Sequence, residues 1–148
     1  MRFNNKVLVF GGSGFLGSHV SDNLTKKGFD VTIFDKNKSK YLNLNQRFVK
    51  GDILNKADLD FAVKNQDIIF NFAGIADIDE CHKNPIETIK YNILANAKII
   101  ESAIKNNVKK YLFSSSAYVY SSSGSFYRIS KQTSEPVSYT HLRAHETR

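Results

Sequence analysis

An α/β fold with a doubly wound parallel sheet follows from three observations on the sequence. Short apolar runs alternate with amphipathic segments, those runs are apolar on both faces, and a glycine cluster separates the first run from the first amphipathic segment. Strands apolar on both faces are strands covered by helices on both sides, and helical crossovers of right hand keep such strands parallel.

In chain order the elements read "KVLVF" from Lys6, a helix over 14–27, "DVTIFD", "RFVKGD", a helix over 55–64, "DIIFNFAG", a helix over 85–106 and "KKYLFSSS". This is taken as a βαβαβαβαβ alternation, with five strands in the order 3-2-1-4-5. In the helix after Pro85, Ile89, Ile93, Ala97, Ile100 and Ile104 recur at three- and four-residue steps, so that stripe is expected to dock on the sheet.

With 148 residues the chain has the size of one domain, and no apolar stretch is long enough to span a bilayer. The start "MRFNNKVLVFGG" runs directly into a strand and lacks the pattern of a signal peptide, so a cytoplasmic location is expected. Cys81 is the only cysteine, which excludes an internal disulfide, and the "NLT" sequon at Asn23 falls within a helix. The formal charge of +7 is spread among acidic and amide residues instead of forming a stripe, which argues against nucleic acid or a membrane surface as partner.

The glycine cluster carries the first functional signal. Gly11, Gly14 and Gly17 stand between strand and helix: the first permits a tight turn, the second close approach of a pyrophosphate, the third close helix packing. Asp35 closes the next strand, where a carboxylate binds the adenosine ribose hydroxyls. This is the Rossmann pattern for a dinucleotide, and Asp35 favours NAD because it repels the extra phosphate of NADP. Lys36 and Lys38 beside it would soften that preference. A P-loop is excluded, since no Gly-Lys-Ser/Thr follows.

With these motifs the sequence resembles the extended short-chain dehydrogenases/reductases, specifically the NAD-dependent epimerase/dehydratase family typified by UDP-glucose 4-epimerase, over residues 6–135. "GGSGFLG" matches the family's glycine turn, implying cofactor contacts at Gly11, Gly14, Phe15, Leu16 and Gly17. "GDI" matches the adenine site, here Asp52 and Ile53, with Lys36 nearby after the ribose-binding Asp35. "NFAG" matches a strand end that lines the cofactor, through Phe72, Ala73 and Gly74, and Asn92 falls where a residue contacts the cofactor or supports the site. "LFSSSAYVY" places the catalytic hydroxyl on Ser116, and "YRISK" supplies the Tyr-x-x-x-Lys pair, Tyr127 and Lys131.

The chemistry of that pair has its own rationale. Residues four apart share a helix face, and an ammonium beside a phenol favours the phenolate. Tyr127 then serves as general base on a sugar hydroxyl, Lys131 supports it and holds the nicotinamide ribose, and Ser116 hydrogen-bonds the same hydroxyl. The resemblance implies a nucleotide-sugar substrate and admits a homodimer. It departs from the 4-epimerases in one respect: ten residues separate Ser116 from Tyr127, a shorter substrate-facing loop.

Other residues read as structural. "DIDECH" lacks metal-ligand spacing and is taken as a polar loop, His19 as a surface or packing residue, and Tyr118 and Tyr120 as strand-end packing. After Glu135 the pattern changes: Pro136 is expected to break the helix, and "VSYTHLRAHET" resembles one reading frame of a transposon-end sequencing adaptor. Residues 1–135 are therefore expected to be an incomplete NAD-binding domain, and 136–148 a foreign tail that packs on nothing and carries no chemistry. Two other functions share these motifs: a reductase or dehydrogenase that releases its reduced cofactor, and a non-catalytic dinucleotide sensor, which would not need Ser116, Tyr127 and Lys131.

Overall fold

The computed structural model describes the backbone of residues 5–146 and the side chains of residues 5–139. Five parallel strands, β1 (Lys6–Phe10), β2 (Asp30–Asp35), β3 (Gln46–Lys50), β4 (Ile68–Asn71) and β5 (Lys110–Phe113), form one sheet in the order β3-β2-β1-β4-β5. The strand order is the one expected from the sequence.

The two-sided apolar character of the strands has a direct structural counterpart. Successive side chains of a strand point to opposite faces. Leu8 and Phe10 of β1 enter a core with Phe34, Leu59, Ile69 and Ile99, while Val7 and Val9 enter another with Val31 and Ile33. All of these are at most 2% exposed, and each contributes roughly 1.5–3 kcal/mol of burial. The first core lies under α2 (Lys56–Val63) and α5 (Ala95–Lys105), and Leu24 of α1 (Phe15–Lys26) packs against the second.

The structure corrects the element pattern in four places. No helix joins β2 to β3: residues 36–45 cross as a loop, so the order there is ββ. "DIDECH" is not a loop, because Ile78–Lys83 forms α3, capped by the Asp77 carboxylate on the Glu80 amide at 2.8 Å, with Cys81 fully buried. The helix after Pro85 divides into α4 (Pro85–Thr88), a π-helical turn (Ile89–Leu94) and α5. Its inward face is Thr88, Asn92, Ala95, Asn96, Ile99 and Ala103; of the expected isoleucine stripe only Ile100 is buried, and Ile89 is 48% exposed.

The fourth correction concerns the last helix. After a 3₁₀ turn (Ala117–Tyr120), α6 runs from Ser125 through Pro136 to Glu146. Proline costs this helix the hydrogen bond to the Gln132 carbonyl, but both residues are exposed, so water can take that bond. Nor do the first residues after Glu135 pack on nothing, since the Ser138 hydroxyl accepts from Asn96 Nδ2 at 3.2 Å and donates to the Ser134 carbonyl at 2.8 Å. Side chains from Thr140 onward lie outside the described ones.

The docking of α6 on the π-helical turn and α5 explains why polar residues face inward. Asn92 Nδ2 donates to Ser130 Oγ at 3.0 Å, and Ser134 Oγ donates to the Asn92 carbonyl at 2.8 Å. Deeper in, Asn71 Nδ2 donates to the Tyr111 hydroxyl at 2.8 Å, which donates to Asn96 Oδ1 at 2.6 Å. Such a buried network is tolerable only because its members are paired. Burial raises the Tyr111 pKa, with a partly opposing hydrogen bond from Asn71, so the phenol stays protonated. Among the described residues no helix is long and apolar enough to cross a membrane.

Candidate active site

A cleft of about 570 Å³ opens at the carboxyl ends of β1, β2 and β4, where an open parallel sheet reverses its winding direction and ligands bind. One wall is the glycine turn. Gly11 adopts φ +70°, and a β-carbon there would collide with the backbone of Phe72 and Ala73. At Gly17 it would overlap the Gly11 carbonyl, so the first helix sits directly on the turn. Gly14 differs: a β-carbon would meet only the Gly11 carbonyl, at 3.3 Å, and the residue lines the cleft.

Gly14 also begins α1, which has no side-chain cap and no acidic residue in its first turn. Its first amides therefore face outward as donors with the positive end of the helix dipole behind them. An uncapped helix start bordered by a glycine suits the diphosphate of a dinucleotide.

Asp35 lines the cleft at the end of β2. Its carboxylate accepts from the Ser13 amide and the Asn37 amide, each at 3.2 Å, which fixes it beside the glycine turn. Lys36 turns to other partners. Its ammonium lies 2.7 Å from the Tyr91 hydroxyl and 3.3 Å from Asp52 Oδ2. Desolvation pulls the Lys36 pKa down, but the hydrogen bonds to Tyr91 and Asp52 outweigh it and raise the pKa above the usual value.

Ile53, Phe72, Ala73 and Gly74 complete the inner lining. Asp52 is outside that lining and reaches it through Lys36, while its Oδ1 accepts from the Leu54 amide at 2.9 Å. Phe15 and Leu16 are 79% and 61% exposed on α1, away from the lining. Asn92 is also turned from the cleft: it accepts from the Ile75 amide at 2.7 Å and donates to the Ile75 carbonyl at 3.0 Å, anchoring the segment after β4.

Several cleft residues escaped the sequence reading. Glu80, Asn84 and Glu87 form an outer wall on α3, the α3–α4 junction and α4, joined by Tyr91 of the π turn. No periodic or spacing signal distinguishes these positions, because the short α3 and the π turn that present them are not visible as patterns.

Ser116 lies on the connection between β5 and α6, and Tyr127 and Lys131 lie on α6 itself. Lys131 is 8% exposed, its ammonium donates to the Ser114 carbonyl at 2.8 Å and sits 4.8 Å from the Phe113 ring centre and 5.8 Å from that of Tyr127. Burial pushes its pKa down to about 8, slightly opposed by Cys81. Tyr127 is half-buried and packs edge-to-face on Tyr118 at 6.2 Å, whereas Tyr120 is 93% exposed and does not pack as expected.

Ser116 precedes the 3₁₀ turn, its hydroxyl accepting from the Tyr118 amide at 3.3 Å. The short connection is tied to α6 by Arg128 on the Ser121 carbonyl and Gln132 on the Val119 carbonyl, each at 2.7 Å. His82 Nδ1 lies 3.0 Å from Ser125 Oγ, joining α3 to the start of α6.

The model of the NAD dependent epimerase/dehydratase family matches residues 7–146. Over 133 residues the chain is 35% identical to the bifunctional UDP-glucose 4-epimerase and UDP-xylose 4-epimerase 1 of Pisum sativum, covering 79% of this chain and 38% of that protein. A UDP-N-acetyl-alpha-D-glucosaminuronate decarboxylase of Bacillus cytotoxicus is 36% identical over 121 residues, with 78% and 37% covered. Among solved structures, MoeE5 in complex with UDP-glucose and NAD superposes with a TM-score of 0.84 at 25% identity, covering 93% of this chain and 49% of MoeE5. The chain thus spans well under half the length of these two sequence relatives.

Proposed function

The chain belongs to the NAD dependent epimerase/dehydratase family, and we propose that it is the NAD-binding part of a cytoplasmic nucleotide-sugar epimerase or dehydratase. The observation that carries this reading is the cleft in which an uncapped helix start, Gly14 and Asp35 face one another. Gly14 and the first amides of α1 would hold the diphosphate, Asp35 the adenosine ribose, and Ile53 with Phe72 to Gly74 the flat faces of the cofactor. A bound nicotinamide supplies a reversible hydride acceptor for a sugar carbon.

The chain's own residues handle the proton. Tyr127 takes it from the sugar hydroxyl that becomes a carbonyl, and Ser116 donates a hydrogen bond to that oxygen. Lys131, held between Ser114 and two aromatic rings, keeps a positive charge near the phenol and favours its ionised form. The relatives carry out both 4-epimerisation and decarboxylation of UDP-sugars, so the reading extends to the sugar nucleotide and the hydride step and leaves the product open.

Residues 1–135 are the native unit in this reading, 136–148 a foreign tail, and the chain alone is inactive. An independent determination of the gene should show a different continuation after Glu135; the same tail in frame at the native locus would overturn that part. The restored longer protein should convert a UDP-sugar without added cofactor, and failure to bind NAD would overturn the whole.

A further inference from the structure

Lys36 follows Asp35 directly, and a lysine at that place would be expected to offset the carboxylate and admit a 2′-phosphate. Its partners lie elsewhere. The ammonium is held by the Tyr91 hydroxyl at 2.7 Å and Asp52 Oδ2 at 3.3 Å, and it lies 4.1 Å from the Tyr91 ring centre. Asp35 meanwhile keeps its two backbone amides and forms no ion pair among the described residues. Tyr91 reaches Lys36 from the far side of the cleft, because the π-helical turn sends it there while the next residue, Asn92, binds Ile75 and Ser130.

We propose that Tyr91, with Asp52, makes this chain select a dinucleotide whose adenosine ribose carries a free 2′-hydroxyl, by clasping Lys36 away from Asp35. The proposal rests on the dinucleotide reading of the cleft. With Lys36 clasped, the Asp35 carboxylate meets the ribose without that ammonium beside it and repels a 2′-phosphate. Released, the lysine stands one residue from Asp35 on a flexible four-carbon stem and supplies a point charge for that phosphate. Tyr91 is a specificity determinant in this scheme and takes no part in chemistry.

The test titrates the chain calorimetrically with ADP-ribose and with 2′-phospho-ADP-ribose, which share the adenosine half and omit the nicotinamide. Tyr91→Phe removes the hydroxyl and keeps the ring in its packing; Tyr91→Leu removes both. The preference for ADP-ribose should fall about fivefold in Tyr91→Phe, the scale of one charge-assisted hydrogen bond part-exposed to water, and further in Tyr91→Leu. Adding Lys36→Ala to either variant should restore the preference. If both ligands bind and Tyr91→Phe leaves their ratio unmoved, or if its change survives Lys36→Ala, the clasp is wrong and the dinucleotide reading stands. Should the unmutated chain bind neither ligand, both fall. Tyr91→Phe decides the matter if Tyr91→Leu does not fold.

Discussion

The Lys131 ammonium donates to the carbonyl oxygen of Ser114 at 2.8 Å, across the gap between α6 and the end of β5. One bond thereby fixes the Tyr-x-x-x-Lys face of the helix relative to the strand end that carries Ser116. A carbonyl is a poor substitute for a carboxylate as partner of a buried cation. Desolvation consequently dominates, and the Lys131 pKa stands at about 8 against a usual 10.5.

That displacement makes Lys131 a source of pH-dependent stability. Its folded pKa lies below its unfolded one, so the folded state disfavours the charged form. The penalty is fully present below about pH 8 and is released as pH rises toward 10.5, because there the unfolded chain holds the proton that the folded chain has lost. Urea melts of Lys131→Met should show higher stability at pH 7, by up to about 3 kcal/mol on the scale of 1.4 kcal/mol per pKa unit. They should also lack the rise between pH 8 and 10.5 seen in the unmutated chain. Parallel pH profiles for the two proteins would refute the assignment.

Asp35 should govern the choice of cofactor. Asp35→Ala removes the acceptor for ribose hydroxyls and the charge that opposes a 2′-phosphate, so NAD should bind about tenfold more weakly, the worth of one charged hydrogen bond. NADP should bind no worse than before. Titration of both with the chain checks this, and equal binding of the two by the unmutated chain would remove Asp35 from the role.

How far the sequence revealed all this depends on what each residue is doing. The strands were legible because "KVLVF" and "DVTIFD" are buried on both faces, and the glycine turn because φ +70° at Gly11 and the overlap at Gly17 admit no side chain. The inward face of the helix after Pro85 was misread for a physical reason. Asn92 and Asn96 are buried there at 4% and 1% exposure, paired with serines of α6 that lie 38 or more residues away. A hydrophobic stripe cannot report a polar seam whose partners are distant. Tyr91 was overlooked for a related reason, since a π turn changes which side chains share a face. Pro136 was read as a stop because propensity weighs the lost bond and not its exposure to water.

The catalytic assignment is checked by Tyr127→Phe in the restored longer protein. The substitution deletes only the hydroxyl, and the Tyr127 ring keeps its edge-to-face contact with Tyr118. Turnover should fall about 100-fold or more, the usual scale for losing a general base, while NAD binding stays within about twofold, since no backbone donor of the cleft is touched. Near-normal turnover would show that another group takes the proton.

The polar seam yields the last prediction. Tyr111→Phe deletes a hydroxyl that accepts from Asn71 Nδ2 and donates to Asn96 Oδ1, at 2.8 and 2.6 Å. Both asparagines keep one bond to each other at 3.1 Å, so the loss is partial and not the abandonment of a whole network. A buried group deprived of one partner costs about 1–3 kcal/mol. The midpoint of urea unfolding should drop accordingly with its slope unchanged, because the surface exposed on unfolding is the same. Asn71 also accepts from the Ala73 amide at 3.0 Å and so sets the lining of the cleft, which gives the substitution a second readout. NAD affinity should weaken only slightly in Tyr111→Phe and much more in Asn71→Ala, where that amide loses its acceptor. If the two variants lost stability and affinity in equal proportion, the seam would be merely structural and the coupling to the cleft through Asn71 would be wrong.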